Sequence, residues 1–168
     1  MRFSKIEARN SENNVQQDFI SFFELVDLCP GCALLVNISY SIISLLPVGQ
    51  SGYVIAQRIL TEAEMRMLLP LLDSPTSCQQ EVLQASYYCK YEFLLKALIS
   101  PDVSTTKEWN ELVQEQRNRL HLAQQKKARR TEMRGVYNAL FGLRQKLEPL
   151  GLTIHSRRNG YYLCKAGV

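Results

Sequence analysis

Residues 134–165 read RGVYNALFGLRQKLEPLGLTIHSRRNGYYLCK. Val136, Leu140, Leu143 and Leu147 recur at helical spacing, so the stretch opens as an amphipathic helix with one buried face. Glu148-Pro149-Leu150-Gly151 stops it. Leu152 and Ile154 then alternate with Thr153 and His155, and Tyr161-Tyr162-Leu163-Cys164-Lys165 follows. Asn159-Gly160 predicts a hairpin turn between two strands, because both residues tolerate positive φ. A helix followed by an arginine-bearing hairpin points to an α+β fold.

Upstream, Thr61 with Glu64 makes a capping box, and Met65, Leu68, Leu69 and Leu72 follow on one face. Pro70 inside this helix is expected to kink it or tighten its turn. Ser77 with Gln80 and Thr105 with Glu108 read as two more capping boxes. The first precedes Val82, Leu83 and Tyr87, and residues 78–99 fit one helix or two. The second opens a long polar helix from Lys107 to about Arg130, with a narrow apolar seam at Trp109, Leu112, Val113, Leu120 and Ala123. Before residue 60, β-type runs at 33–38, 40–46 and 53–59, split by Pro47, Gly49 and Gly52, predict a small antiparallel sheet. Phe19 to Val26 has a helix-like apolar rhythm suited to docking on the body. Residues 1–18 are polar and expected to fray.

The chain has 168 residues, 46% of them apolar, enough for one domain with a core. Charge is segregated. Residues 1–105 hold 7 Lys/Arg and 11 Asp/Glu, a net of −4, and residues 106–168 hold 13 and 5, a net of +8. A basic C-terminal third predicts an anionic partner. No apolar run reaches the roughly 20 residues of a spanning helix, so no membrane is expected as a partner. No signal peptide is read at the N-terminus. Five cysteines make an odd number for a disulfide framework, which predicts a reducing, cytoplasmic setting.

The segment Leu143-Arg144-Gln145-Lys146-Leu147-Glu148-Pro149-Leu150-Gly151, with Arg157 and Gly160-Tyr161 downstream, resembles the end of OmpR/PhoB-type DNA-binding domains. That family carries an LRxKLEPxG helix end and a wing with an arginine before GY. Its short N-terminal strands run into LTxxE and an apolar helix, which Leu60-Thr61-Glu62-Ala63-Glu64 and Met65 to Leu69 match. The resemblance covers residues about 33 to 165 and is strongest at 60–75 and 140–164. It implies a winged helix-turn-helix with a small N-terminal antiparallel sheet (33–60), first helices (61–88), a long helical insertion (89–130), a recognition helix (131–150) and a wing hairpin (152–165). Residues 1–32 would be a separate segment, partly flexible or a docking helix. They are too short for a receiver domain, so the family's phosphorylation switch is not expected. The sequence also departs from the family at Phe141-Gly142, where two basic residues are usual.

The implied function is transcription regulation by sequence-specific binding of double-stranded DNA. The last helix would enter the major groove, offering Arg134, Asn138, Arg144 and Gln145, since asparagine can pair bidentately with adenine and arginine with guanine. Arg157 and Arg158 at the hairpin suit a narrow, negative minor groove. Lys126, Lys127, Arg129 and Arg130 would contact phosphates, which fix position without reading sequence. The inserted helix would act as an extra DNA clamp, or as a surface for RNA polymerase or a second protomer. A protein-interaction module or regulatory adaptor on the same scaffold is the alternative, kept open by Phe141-Gly142.

No catalytic motif is present: no glycine-rich phosphate loop, HExxH or GxSxG. An enzyme, a cofactor and a metal are therefore not expected. Cys29-Pro30-Gly31-Cys32 could be a redox pair or half a zinc site. Cys78, Cys89, His121 and His155 lack the spacing to complete such a site, so a tight turn with two small thiols is the favoured reading.

Overall fold

The computed structural model describes residues 20–25, 29–49, 53–74, 76–158 and 160–167. Strands β1 (Ile20–Glu24), β2 (Cys32–Asn37), β3 (Ile42–Pro47) and β4 (Ala56–Ile59) form an antiparallel sheet in chain order. Leu34, Val36, Ile43 and Leu45 share one face of the sheet and are buried in the core. The Phe19–Val26 stretch is therefore corrected: within its described residues 20–25, Ile20–Glu24 form an edge strand paired with β2, with Phe22 opposite Leu35. The sheet begins before residue 33. Phe19, Val26 and residues 1–18 lie outside the described residues.

Helix α1 (Glu62–Asp73) opens with the expected capping box. The Glu64 amide donates to Thr61 Oγ1 at 3.2 Å, and the Thr61 amide donates to Glu64 Oε2 at 2.8 Å. Pro70 lies within α1 and cannot donate to the Arg66 carbonyl four residues back. The buried Ser86 hydroxyl, from the next helix, donates to that carbonyl at 2.5 Å instead. Arg66 returns the contact, donating from Nη1 to the carbonyls of Ser86 (3.1 Å) and Cys89 (2.5 Å). One arginine and one serine thus join α1 to the C-terminal end of α2 (Gln80–Tyr88).

The two-residue strand β5 (Cys78–Gln79) precedes α2. It takes the place of the expected Ser77 cap: Gln79 is the N-cap residue and makes no side-chain cap bond. Residues 78–99 hold two helices, α2 and α3 (Tyr91–Ile99). Helix α4 (Val103–Gln125) starts earlier than the sequence suggests, because Asp102 is its cap and accepts from the Thr105 amide at 2.7 Å. Thr105 is buried in the first turn instead of capping it. The α4 seam is formed by Thr105, Trp109, Gln116, Leu120 and Ala123, and Trp109 lies against Phe93 of α3 with ring centroids 6.4 Å apart. Helix α4 ends at Gln125, short of the basic run.

A short α5 (Arg129–Glu132) leads into α6 (Arg134–Leu147), which closes in a single 3-10 turn at Glu148–Leu150. Strands β6 (Leu152–Arg157) and β7 (Gly160–Lys165) form the hairpin, and β7 also pairs with β5, giving a three-stranded antiparallel sheet in the order β5-β7-β6. The chain is thus mixed α+β, with six helices among the described residues. Helices α1, α2 and α6 pack on one another, and α4 lies along α2. One core joins Leu34 and Ile43 of the first sheet, Leu68 and Leu72 of α1, Leu140 and Leu143 of α6, and Ile154 and Leu163 of the hairpin.

Candidate nucleic-acid interface

Helix α6 buries Val136, Ala139, Leu140, Leu143 and Leu147. It approaches α1 and α2 closely at two glycines. A Cβ at Gly135 would meet the Tyr87 ring at 2.6 Å, and one at Gly142 would meet Glu64 Oε1 at 2.6 Å. These glycines weaken the helix by roughly 1 kcal/mol each relative to alanine, and their contacts explain their presence. Glu64 is itself fixed by its cap and by Lys146, whose Nζ lies 2.9 Å from Oε2 and donates to the Ile59 carbonyl at 2.7 Å. The helix is therefore fixed in rotation, and Arg134, Asn138, Phe141 and Gln145 form its exposed stripe, spaced by four, three and four residues.

The ten expected contact residues divide in two. Arg134, Asn138, Gln145, Lys126, Lys127, Arg130, Arg157 and Arg158 are exposed. Arg144 and Arg129 are half-buried and engaged within the fold. Arg144 Nε donates to the Ile154 carbonyl at 2.9 Å and joins α6 to β6. Arg129 Nε donates to Gln80 Oε1 at 3.1 Å, and its Nη2 donates to the same oxygen.

The basic run spans the C-cap of α4, a turn and the first residues of the next helix. Lys126 and Lys127 follow α4, with Lys127 at φ 56°, and the chain then re-enters helix at Arg129. The hairpin turn is also displaced from its expected place. Arg157 pairs with Gly160, so Arg158 begins the turn with φ 45°, and Gly160 is already in β7. Asn159 lies outside the described residues.

Strand β5 connects these parts. Gln79 pairs with Gly160, and its neighbour Gln80 holds Arg129. Arg117 of α4 donates to Gln79 Oε1 at 3.3 Å and to Glu81 Oε1 at 2.9 Å. The start of the hairpin's second strand, the first residue of α5 and helix α4 therefore meet at Gln79–Glu81. The sequence gives no sign of this junction, because a two-residue strand has no periodicity to detect. Tyr161 closes the same region. Burial raises its phenol above the usual value, and Tyr137 adds to the rise, while Arg144, a hydrogen bond with Gln80, and Arg129 act in the opposite direction.

Cys29, Cys32 and His155 lie outside this junction, and Cys78 enters it through its backbone pairing with Tyr161. Cys29 and Cys32 bracket a turn closed by the Cys32 amide donating to the Cys29 carbonyl at 3.0 Å. The hydrogen bond with Cys29, followed by burial, pushes the Cys32 thiol up to about 11. Burial pushes Cys78 up to about 12, helped by Asp73 and Glu81. His155 is exposed on β6 and stacks edge-on with Tyr162, centroids 5.9 Å apart. Among the described residues, no three His, Cys, Asp or Glu side chains could together hold a metal ion, and no helix is long and apolar enough to cross a membrane.

No protein-family model matches the chain, and no curated protein or solved structure is significantly similar to it.

Proposed function

We propose that the chain is a sequence-specific, double-stranded DNA-binding transcription regulator with a winged-helix architecture of the OmpR/PhoB kind. Helix α2 and helix α6 are the helix-turn-helix pair, α6 is the recognition helix, and β6–β7 is the wing. Helices α3 to α5 replace the short loop that such domains carry between the pair.

The observation that carries this reading is the exposed stripe of α6, with Arg134, Asn138 and Gln145 on it, on a helix packed beside a hairpin bearing two exposed arginines, Arg157 and Arg158. A helix fits the major groove, and its outward residues meet base edges there. Arginines at the hairpin turn suit the adjacent minor groove. Arg134, Asn138 and Gln145 are the base-reading set. Lys126, Lys127 and Arg130 contact phosphates and contribute affinity without sequence preference. Arg144 and Arg129 serve to position the hairpin and the basic turn. The net +8 of residues 106–168 supplies the field for a polyanion.

Selection from a random duplex pool tests this. A recurrent motif is expected, and Asn138→Ala should relax the preference at one base pair of it. A pool that yields no retained duplex even at low salt overturns the reading. The scaffold is then a protein-interaction module.

A further inference from the structure

We infer that Phe141 is a specificity-determining residue whose ring packs against thymine C5-methyl groups in the major groove. The inference rests on the DNA-binding reading above and extends it to the composition of the site.

Helix α6 completes its buried face without Phe141, which is 62% exposed. A single exposed apolar side chain is ordinary on a protein surface. What distinguishes Phe141 is its place. It stands between Asn138 and Gln145 on the exposed stripe. Both neighbours carry amides that pair bidentately with adenine. Every adenine is paired with a thymine, whose methyl group projects into the same groove and accepts apolar contact. An amide, a phenyl ring and a second amide along one helix face therefore complement a run of A·T pairs: the amides meet adenine edges, and the ring covers thymine methyls.

The orientation of Phe141 is set by its neighbour. Gly142 lies against Glu64, whose carboxylate is held by the Thr61 amide at 2.8 Å and by Lys146 at 2.9 Å. The helix cannot roll to bury Phe141 without displacing that cluster. The ring thus remains in water until something covers it, and burial of a phenyl ring is favourable.

The test uses the full chain and the duplex it enriches from a random pool. That duplex is resynthesised with deoxyuridine in place of thymidine, which keeps base pairing and removes only the methyls. The wild type should lose about fourfold in affinity for each methyl contacted. Phe141→Ala should bind both forms alike and keep its salt dependence, while Phe141→Leu should retain part of the discrimination. Unchanged thermal melting checks that both variants fold. Equal binding of the two duplexes by the wild type overturns the inference and leaves the DNA-binding reading intact, as does a thymine preference undiminished in Phe141→Ala. Failure to enrich any duplex overturns both.

Discussion

Gly160 passes so close to Cys78 that a Cβ at position 160 would lie 2.6 Å from the Cys78 carbonyl oxygen. The glycine serves the pairing of β7 with β5 and not the turn that precedes it. Backbone on both sides leaves nothing flexible to move aside. Gly160→Ala should therefore cost about 1–3 kcal/mol, the usual range for overpacking. A urea titration reads this as a lower midpoint, and an unchanged midpoint contradicts the close approach.

The Ser86 hydroxyl occupies the carbonyl that Pro70 leaves without a helical donor. Ser86→Ala should cost about 1–3 kcal/mol, because the Arg66 carbonyl is then buried and unsatisfied. Pro70→Ala restores a main-chain donor, so the same serine change should cost clearly less in that background. A double-mutant cycle on thermal or urea unfolding gives the difference.

Glu64 links the α1 cap to α6. Glu64→Ala removes the capping box and the partner of Lys146, with an expected loss of about 2 kcal/mol. It also vacates the space facing Gly142. Gly142→Ala should then become stabilising through helix propensity, by up to about 1 kcal/mol, whereas with Glu64 in place it displaces the carboxylate. Additive effects of the two changes would argue against the contact.

Much of the site follows from such pairings, and they mark what could be read from the sequence. The face of α6 was legible because Val136, Leu140, Leu143 and Leu147 hold a strict helical spacing. The Thr61–Glu64 capping box formed as expected. The Ser77 and Thr105 boxes did not. β5 keeps the backbone extended at Cys78–Gln79, and Asp102 caps α4 before Thr105 can. β1 forms a strand where the sequence suggests a helix, because a short apolar run fits either period. The hairpin turn shifted by one residue because β5 requires Gly160 within β7. At Ser77 and at the hairpin turn a tertiary strand partner overrode a local preference, whereas at Thr105 a nearer competitor, Asp102, took the cap.

The Asp102 cap predicts a pH dependence. The Thr105 amide, then the Thr105 side chain and Lys96, hold the Asp102 carboxyl down to about 2, below its usual 3.8. A lowered folded pKa contributes stability that is present above the unfolded value and lost as pH falls through the folded one. The α4 cap should thus persist above about pH 4 and weaken between about 4 and 2. Asp102→Ala should remove this component, so the stability difference between variant and wild type should shrink across that window. A difference constant with pH would contradict the cap's ionised state.

The central claim, that α6 and the hairpin bind duplex DNA, is tested most directly by affinity for random-sequence duplex as a function of salt. The measurement compares wild type with Arg157→Ala/Arg158→Ala. The account predicts a log–log slope of several units for the wild type, and weaker binding with a slope smaller by about two in the variant. Equal affinities and slopes for the two proteins, or no binding by the wild type at low salt, would contradict it.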